Sequence, residues 1–136
     1  MSNKTVREVM VKHPVTLGRD DSLDLAKDIM TLGRIRHFPV VEKEDLVGVV
    51  SQRDLYRMSL GSAMRYEETA QKAFLKTVAV KDVMSHPPVT VTADAPIKEA
   101  VRLMIDKKIG CLPVLDSGKL VGLITETDLL KELLVQ

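Results

Sequence analysis

Leu46-Val47-Gly48-Val49-Val50-Ser51-Gln52-Arg53-Asp54-Leu55 returns 74 positions later as Leu120-Val121-Gly122-Leu123-Ile124-Thr125-Glu126-Thr127-Asp128-Leu129. In each copy an apolar run, broken once by glycine, has the length of a strand. The Ser/Thr-x-x-Asp that closes it has the form of a helix-opening capping box, in which the hydroxyl accepts from the N3 amide and the acid accepts from the N-cap amide. The stretch therefore reads as strand then helix, written twice.

The same offset extends outward. Phe38-Pro39-Val40-Val41 matches Leu112-Pro113-Val114-Leu115, Pro14-Val15-Thr16 matches Pro88-Val89-Thr90, and Val6-Arg7-Glu8-Val9-Met10 matches Val80-Lys81-Asp82-Val83-Met84. From Val6 to Met58 there are 17 identities in 53 ungapped positions, so an internal repeat organises the chain. Within each copy a short strand is expected at Val15–Leu17 and Val89–Val91. A helix follows, with Leu23, Ala26, Ile29 and Met30 matched by Ile97, Ala100, Leu103 and Met104 at a 3.6-residue period. Pro96 suits its first turn. Two apolar runs flanking Glu42–Asp45 and Asp116–Lys119 form a hairpin signal, and a last helix starts near Ser51 and Thr125. The expected fold class is α/β (α+β), two β-α-β-β-α repeats related by a pseudo-two-fold axis. Repeat 1 spans 6–58, an insert 59–79, and repeat 2 80–136. In the insert, Ala63, Tyr66, Ala70, Ala73 and Phe74 follow helical spacing and Glu68–Lys72 is an i,i+4 pair, which predicts a helix over 62–76.

The 136 residues are 45% apolar and 29% charged, an ordinary globular composition. Twenty basic residues against nineteen acidic ones leave +1, which supplies no global field for nucleic acid or an anionic membrane. Aromatics are 3% with no tryptophan, so stacking platforms for single strands are not expected. Cys111 is the single cysteine, which excludes an internal disulfide and a CxxC metal site. The amino terminus has no apolar signal region and no run approaches a membrane span, so the expected address is the cytoplasm.

The combination Val-x-x-Val-Met, Pro-Val-Thr, Pro-Val and Leu-Val-Gly-x-x-Ser/Thr-x-x-Asp-Leu resembles the CBS domain. Two copies in register resemble a tandem CBS pair, or Bateman module, covering Val6 to about Leu130. The chain reads as a stand-alone bacterial-type pair, and its helical insert is similar to that of acetoin-utilisation regulators. The resemblance implies two clefts that take adenosine compounds, AMP, ADP, ATP or S-adenosylmethionine. It implies a homodimer, an unidentified regulated protein, and no catalysis or catalytic cofactor.

Two segments are candidates for binding. A carboxylate can accept from a ribose diol, and a neighbouring hydroxyl suits phosphate, so Ser51, Arg53 and Asp54 and their counterparts Thr125 and Asp128 are one set. The same pattern read only as a helix cap leaves both roles open. Arg34, Arg36 and His37 place three potential cations before Phe38, where they could hold phosphate or simply be solvated charges at a helix end. Gly110 and Cys111 replace Arg36 and His37 in repeat 2, so the clefts should differ. The resemblance implies clefts built across the repeats. One joins Thr125 and Asp128 with Thr16, Ile35, Arg36 and His37. The other joins Ser51, Arg53 and Asp54 with Thr90, Ile109, Gly110 and Cys111. Ile35 and Ile109 would cover the base, and backbone near Thr16 and Thr90 would read its edge. The Asp128 cleft ranks first because more positive charge faces the expected phosphate. A metal site is not expected from His13 and His86, and Cys111, Met30 and Met104 read as packing residues.

Three functions compete. A ligand-sensing regulatory module leads. A structural dimerisation module with degenerate, empty clefts is the alternative, favoured by Gly110 and Cys111. An enzyme is disfavoured, because no phosphate-binding loop, HExxH or acid–base pair occurs.

Overall fold

The computed structural model describes residues 3–58 and 68–135. In chain order the elements are α1 (Val6–Val9), β1 (Val11–Lys12), β2 (Leu17–Gly18), α2 (Leu23–Gly33), β3 (His37–Glu42), β4 (Asp45–Ser51), α3 (Gln52–Met58), α4 (Glu68–Lys76), a 3₁₀ turn (Val80–Asp82), β5 (Val91–Thr92), α5 (Ile97–Lys107), β6 (Cys111–Asp116), β7 (Lys119–Thr125) and α6 (Glu126–Lys131). Among the described residues, six α-helices and two small sheets confirm the mixed α/β class and the β-α-β-β-α order of each repeat.

The chain forms two compact units, 15–87 and 1–14 with 88–136. In the first, β2 runs parallel to β3 and β3 antiparallel to β4. Phe38, Val40 and Val50 are fully buried and join Leu17, Leu23, Ala26 and Met30 in one core. Each such side chain contributes roughly 1.5–3 kcal/mol on burial. In the second, β5 is parallel to β6 and β6 antiparallel to β7, and Leu112, Val114 and Ile124 centre a core with Val91, Ala100 and Met104. Both hairpins turn through two residues. Ser117 and Gly118 both adopt positive φ, 52° and 80°, as the tight turn that matches strand twist requires.

The compact units are offset from the repeats. The leading segment of each repeat packs with the sheet of the other. Val6 donates to Ala95 O and Arg7 to Ala93 O, and β1 pairs antiparallel with β7. In the other unit Val80 donates to Asp21 O, Lys81 to Arg19 O, and Ser85 bridges Val49. This exchange explains the glycine of the repeated Leu-Val-Gly. A Cβ on Gly48 would lie 2.5 Å from Met84 Sδ and 2.9 Å from Ser85 O, and one on Gly122 2.8 Å from Val11 O. Only glycine admits the crossing backbone there.

Two local expectations are corrected, at the first strands and at Pro96. The first strand of each unit begins at Leu17 and Val91, two residues late, because Val15 and Thr16, like Val89 and Thr90, are where the chain enters its unit and pair with no strand. Pro96 is the N-cap of α5 rather than a residue of its first turn. The insert helix is described from Glu68, so the earlier part of the expected helix, with Ala63 and Tyr66, lies outside the described residues. Lys72 reaches Asp24 at 3.3 Å and Asp28 at 3.6 Å, partners on α2 that spacing within the insert did not predict. Leu75, on the same helix, is buried in the core of that unit.

Candidate functional site

Topology collects the candidate residues at one end of each sheet. A parallel β2–β3 pair and an antiparallel β3–β4 pair put the starts of β2 and β3 beside the end of β4. His37 pairs with Ser51, and Gln52 N donates to Arg36 O at 2.8 Å. Thr16, Ile35, Arg36, His37, Ser51, Arg53 and Asp54 are thereby gathered in one unit. The other unit gathers Thr90, Ile109, Gly110, Cys111, Thr125 and Asp128, where Cys111 pairs with Thr125 and Glu126 N donates to Gly110 O at 3.0 Å.

Both capping boxes form. Ser51 N and Oγ donate to Asp54 Oδ2 at 2.8 and 3.0 Å, and Asp54 N donates back to Ser51 Oγ at 3.3 Å. Thr125 N and Oγ1 donate to Asp128 Oδ2, each at 2.9 Å, with Asp128 N returning a bond at 3.3 Å. Two donors occupy Oδ2, so Oδ1 is the oxygen left for a ligand. Asp54 Oδ1 has Arg57 Nη1 at 3.7 Å. Asp128 Oδ1 takes no hydrogen bond or ion pair among the described residues. Capping thus occupies one oxygen of each carboxylate and leaves the other outside the cap.

The surroundings differ. Asp54 is buried, at 8% exposure, whereas Asp128 is half-buried. Arg36 and Arg53 are exposed and form no ion pair among the described residues. Ile35 and Ile109 are half-buried and pack against their own cores. Cys111 is buried, as a small apolar residue is. The resemblance implies that Arg36 and His37 serve the cleft of Asp128. The chain segment that carries them lies in the same compact unit as Asp54, through the Gln52–Arg36 backbone bond. Three neighbours escaped the sequence reading: Gln52 and Glu126, bonded to the strand starts, and Arg57, one helical turn beyond Asp54. The i+3 spacing of Asp54 and Arg57 was the available signal. No group of three metal-ligating side chains occurs among the described residues, and no helix there is long and apolar enough to cross a membrane.

A family model described as the CBS domain matches residues 6–61 and again 80–135. A CBS domain-containing protein of Dictyostelium discoideum is 34% identical over 92% of this chain and 88% of its own length. A structure of an acetoin utilization protein from Vibrio cholerae is 33% identical, with a TM-score of 0.78 over 98% of this chain and 93% of the other. The protein CBSX2, solved in complex with AMP, is 27% identical with a TM-score of 0.78, covering 96% of each chain. Inosine-5′-monophosphate dehydrogenases also match, but the chain spans only 23% of their length.

Proposed function

The chain belongs to the CBS-domain family, and from that premise we propose that it is a regulatory module sensing an adenosine compound through Asp54 and Asp128. The observation that carries this reading is the division of labour in each carboxylate. Oδ2 is held by the cap while Oδ1 faces no capping donor, leaving an oriented acceptor for the ribose hydroxyls. A rigid cap beneath it fixes the rotamer before the ligand arrives, which lowers the ordering cost of binding. Ile35 and Ile109 supply apolar surface for the base, and the backbone near Thr16 and Thr90 its edge. CBSX2, a relative of similar length, was solved with AMP, so AMP is the first ligand proposed, with ADP, ATP and S-adenosylmethionine as competitors. The module does no chemistry and signals to a protein partner in the cytoplasm.

A thermal-shift series with these compounds tests the reading. A ligand that binds only the folded chain adds RT ln(1 + [L]/Kd), about 2.7 kcal/mol at a hundredfold excess over Kd. The shift is expected with AMP and should vanish when both aspartates are replaced by asparagine. A flat response across the panel, with ligand-free protein verified by mass spectrometry, overturns it.

The second reading, a homodimeric scaffold, is favoured by Leu130, Leu133 and Leu134, exposed at 61, 57 and 85%. A dimer by light scattering whose mass and stability ignore every nucleotide would establish it.

A further inference from the structure

α2 and α5 hold the same place in the two repeats but differ in what lies on them. On α2, the buried Asp24 and the exposed Asp28, one helical turn apart, are both met by Lys72 of α4, at 3.3 and 3.6 Å. Three residues on, Leu75 enters the core of that unit and is 1% exposed. A cation and an apolar anchor at i,i+3 thus seat one helix on an acidic helix face. At the 74-residue offset, Asp24 and Asp28 become Lys98 and Arg102, while Lys27 and Thr31 become Val101 and Ile105. The face changes sign and gains apolar surface. Lys98 and Arg102 are exposed and form no ion pair among the described residues. Ile105 is 68% exposed, and Val101 beside it is half-buried. Glu99 and Asp106 follow on the flank away from Ile105 and pair with neither cation. α5 packs on α1, β6 and α6, but no helix among the described residues shields this face as α4 shields Asp24.

We propose that the Lys98–Arg102–Ile105 face of α5 docks an acidic amphipathic helix of a partner protein, seated as α4 is on α2 with the charges exchanged. The occupant follows from complementarity. A carboxylate placed between two cations one turn apart replaces Lys72, and an apolar side chain three residues on covers Ile105 and Val101. A second copy of this chain is disfavoured as the occupant. A two-fold contact through α5 would set Lys98 and Arg102 against themselves, and the acidic face of α2 is already held by Lys72. The inference goes beyond the nucleotide reading and does not rest on it.

Fluorescence polarisation on the full, nucleotide-free chain tests this with two labelled, side-chain-stapled helical peptides. One has the sequence of α4, Glu68–Lys76, and the other has the same sequence with Lys72→Glu. The Lys72→Glu peptide is expected to bind about tenfold tighter than its parent at low salt, and to lose that preference as salt rises. Lys98→Asp with Arg102→Asp, which gives α5 the residues of α2, should reverse the preference. Ile105→Ser should weaken the Lys72→Glu peptide about tenfold, with circular dichroism unchanged because Ile105 lies outside the core. Failure of both peptides to bind overturns the proposal, as does equal affinity or a preference that survives the charge reversal. A fall in mass by light scattering on Ile105→Ser would make the face a contact between copies and overturn it too. A flat response to nucleotides leaves all of these outcomes unchanged, so the two readings fail separately.

Discussion

Asp54 and Asp128 hold their caps through the same three bonds, with Oδ2 contacts of 2.8–3.0 Å and 2.9 Å. Beyond the cap they part. Asp54 is buried and its outer oxygen faces Arg57, whereas Asp128 is half-buried and its outer oxygen is open among the described residues. The repeat thus keeps the backbone frame that aims a carboxylate and varies the side chains that meet whatever it holds. What is duplicated is the geometry of the cap, and what diverges is the burial and charge around it.

The largest expected effect breaks this comparison at the anchors. A hydrogen bond to a charged group is worth about 1.5–3 kcal/mol, so Asp128→Ala should weaken AMP roughly ten- to a hundredfold by calorimetry, and Asp54→Ala less. Circular dichroism of both variants checks that the fold survives. The reverse ranking would break the pairing that the resemblance implies, in which Arg36 serves Asp128. A double-mutant cycle tests the pairing directly: Arg36→Gly should couple to Asp128→Asn and be additive with Asp54→Asn.

Next in size are the glycines, which sharpen what the units share. Gly48→Ala and Gly122→Ala each push a methyl into a methionine and a crossing carbonyl. Overpacking of this kind costs about 1–3 kcal/mol, and the two should fall in urea midpoint by similar amounts. A loss at one glycine alone would mean that the leading segments are held unequally.

Much of this frame was legible before any coordinates. The period of Leu23, Ala26 and Met30, the turn at Asp116–Lys119 and the capping spacing of Ser51 and Asp54 are local signals, and each settled where it was expected. The exchange of leading segments was hidden, because Val6–Met10 carries the same letters whichever sheet it packs on. Only the unexplained glycine of Leu-Val-Gly hinted at a close neighbour. The backbone bond that ties Arg36 to the start of α3 was hidden for a related reason. Spacing shows what recurs but not which backbone groups meet, and the Gln52–Arg36 bond came only with the structure.

A smaller effect compares the caps themselves. Ser51→Ala and Thr125→Ala each delete one hydroxyl that both donates to Oδ2 and accepts from the N3 amide. Loss of a cap costs about 1 kcal/mol. Since Asp54 is the more buried acid, Ser51→Ala should cost more than Thr125→Ala in chemical denaturation. Equal losses would mean that burial adds nothing to the bond.

The smallest effect lies where the units have no common feature. Asp24, buried on α2, is met by Lys72 of the insert helix, while the matching position in the other unit is the exposed Lys98. The hydrogen bond from Lys72 to Asp24, with the charges of Asp24 and Asp28, raises the lysine's pKa above its ordinary value. A group that binds its proton more tightly when folded stabilises the fold fully below its unfolded pKa and loses that contribution as pH rises through the folded one. The pair should therefore matter at neutral pH and fade only above pH of about 10.4. Lys72 is half-exposed, so the effect is modest after solvent screening. Urea midpoints of wild type and Lys72→Met should differ at pH 8 and converge in strongly alkaline buffer. A difference that persists there would assign the loss to the packing of α4 on α2 instead of to the ion pair.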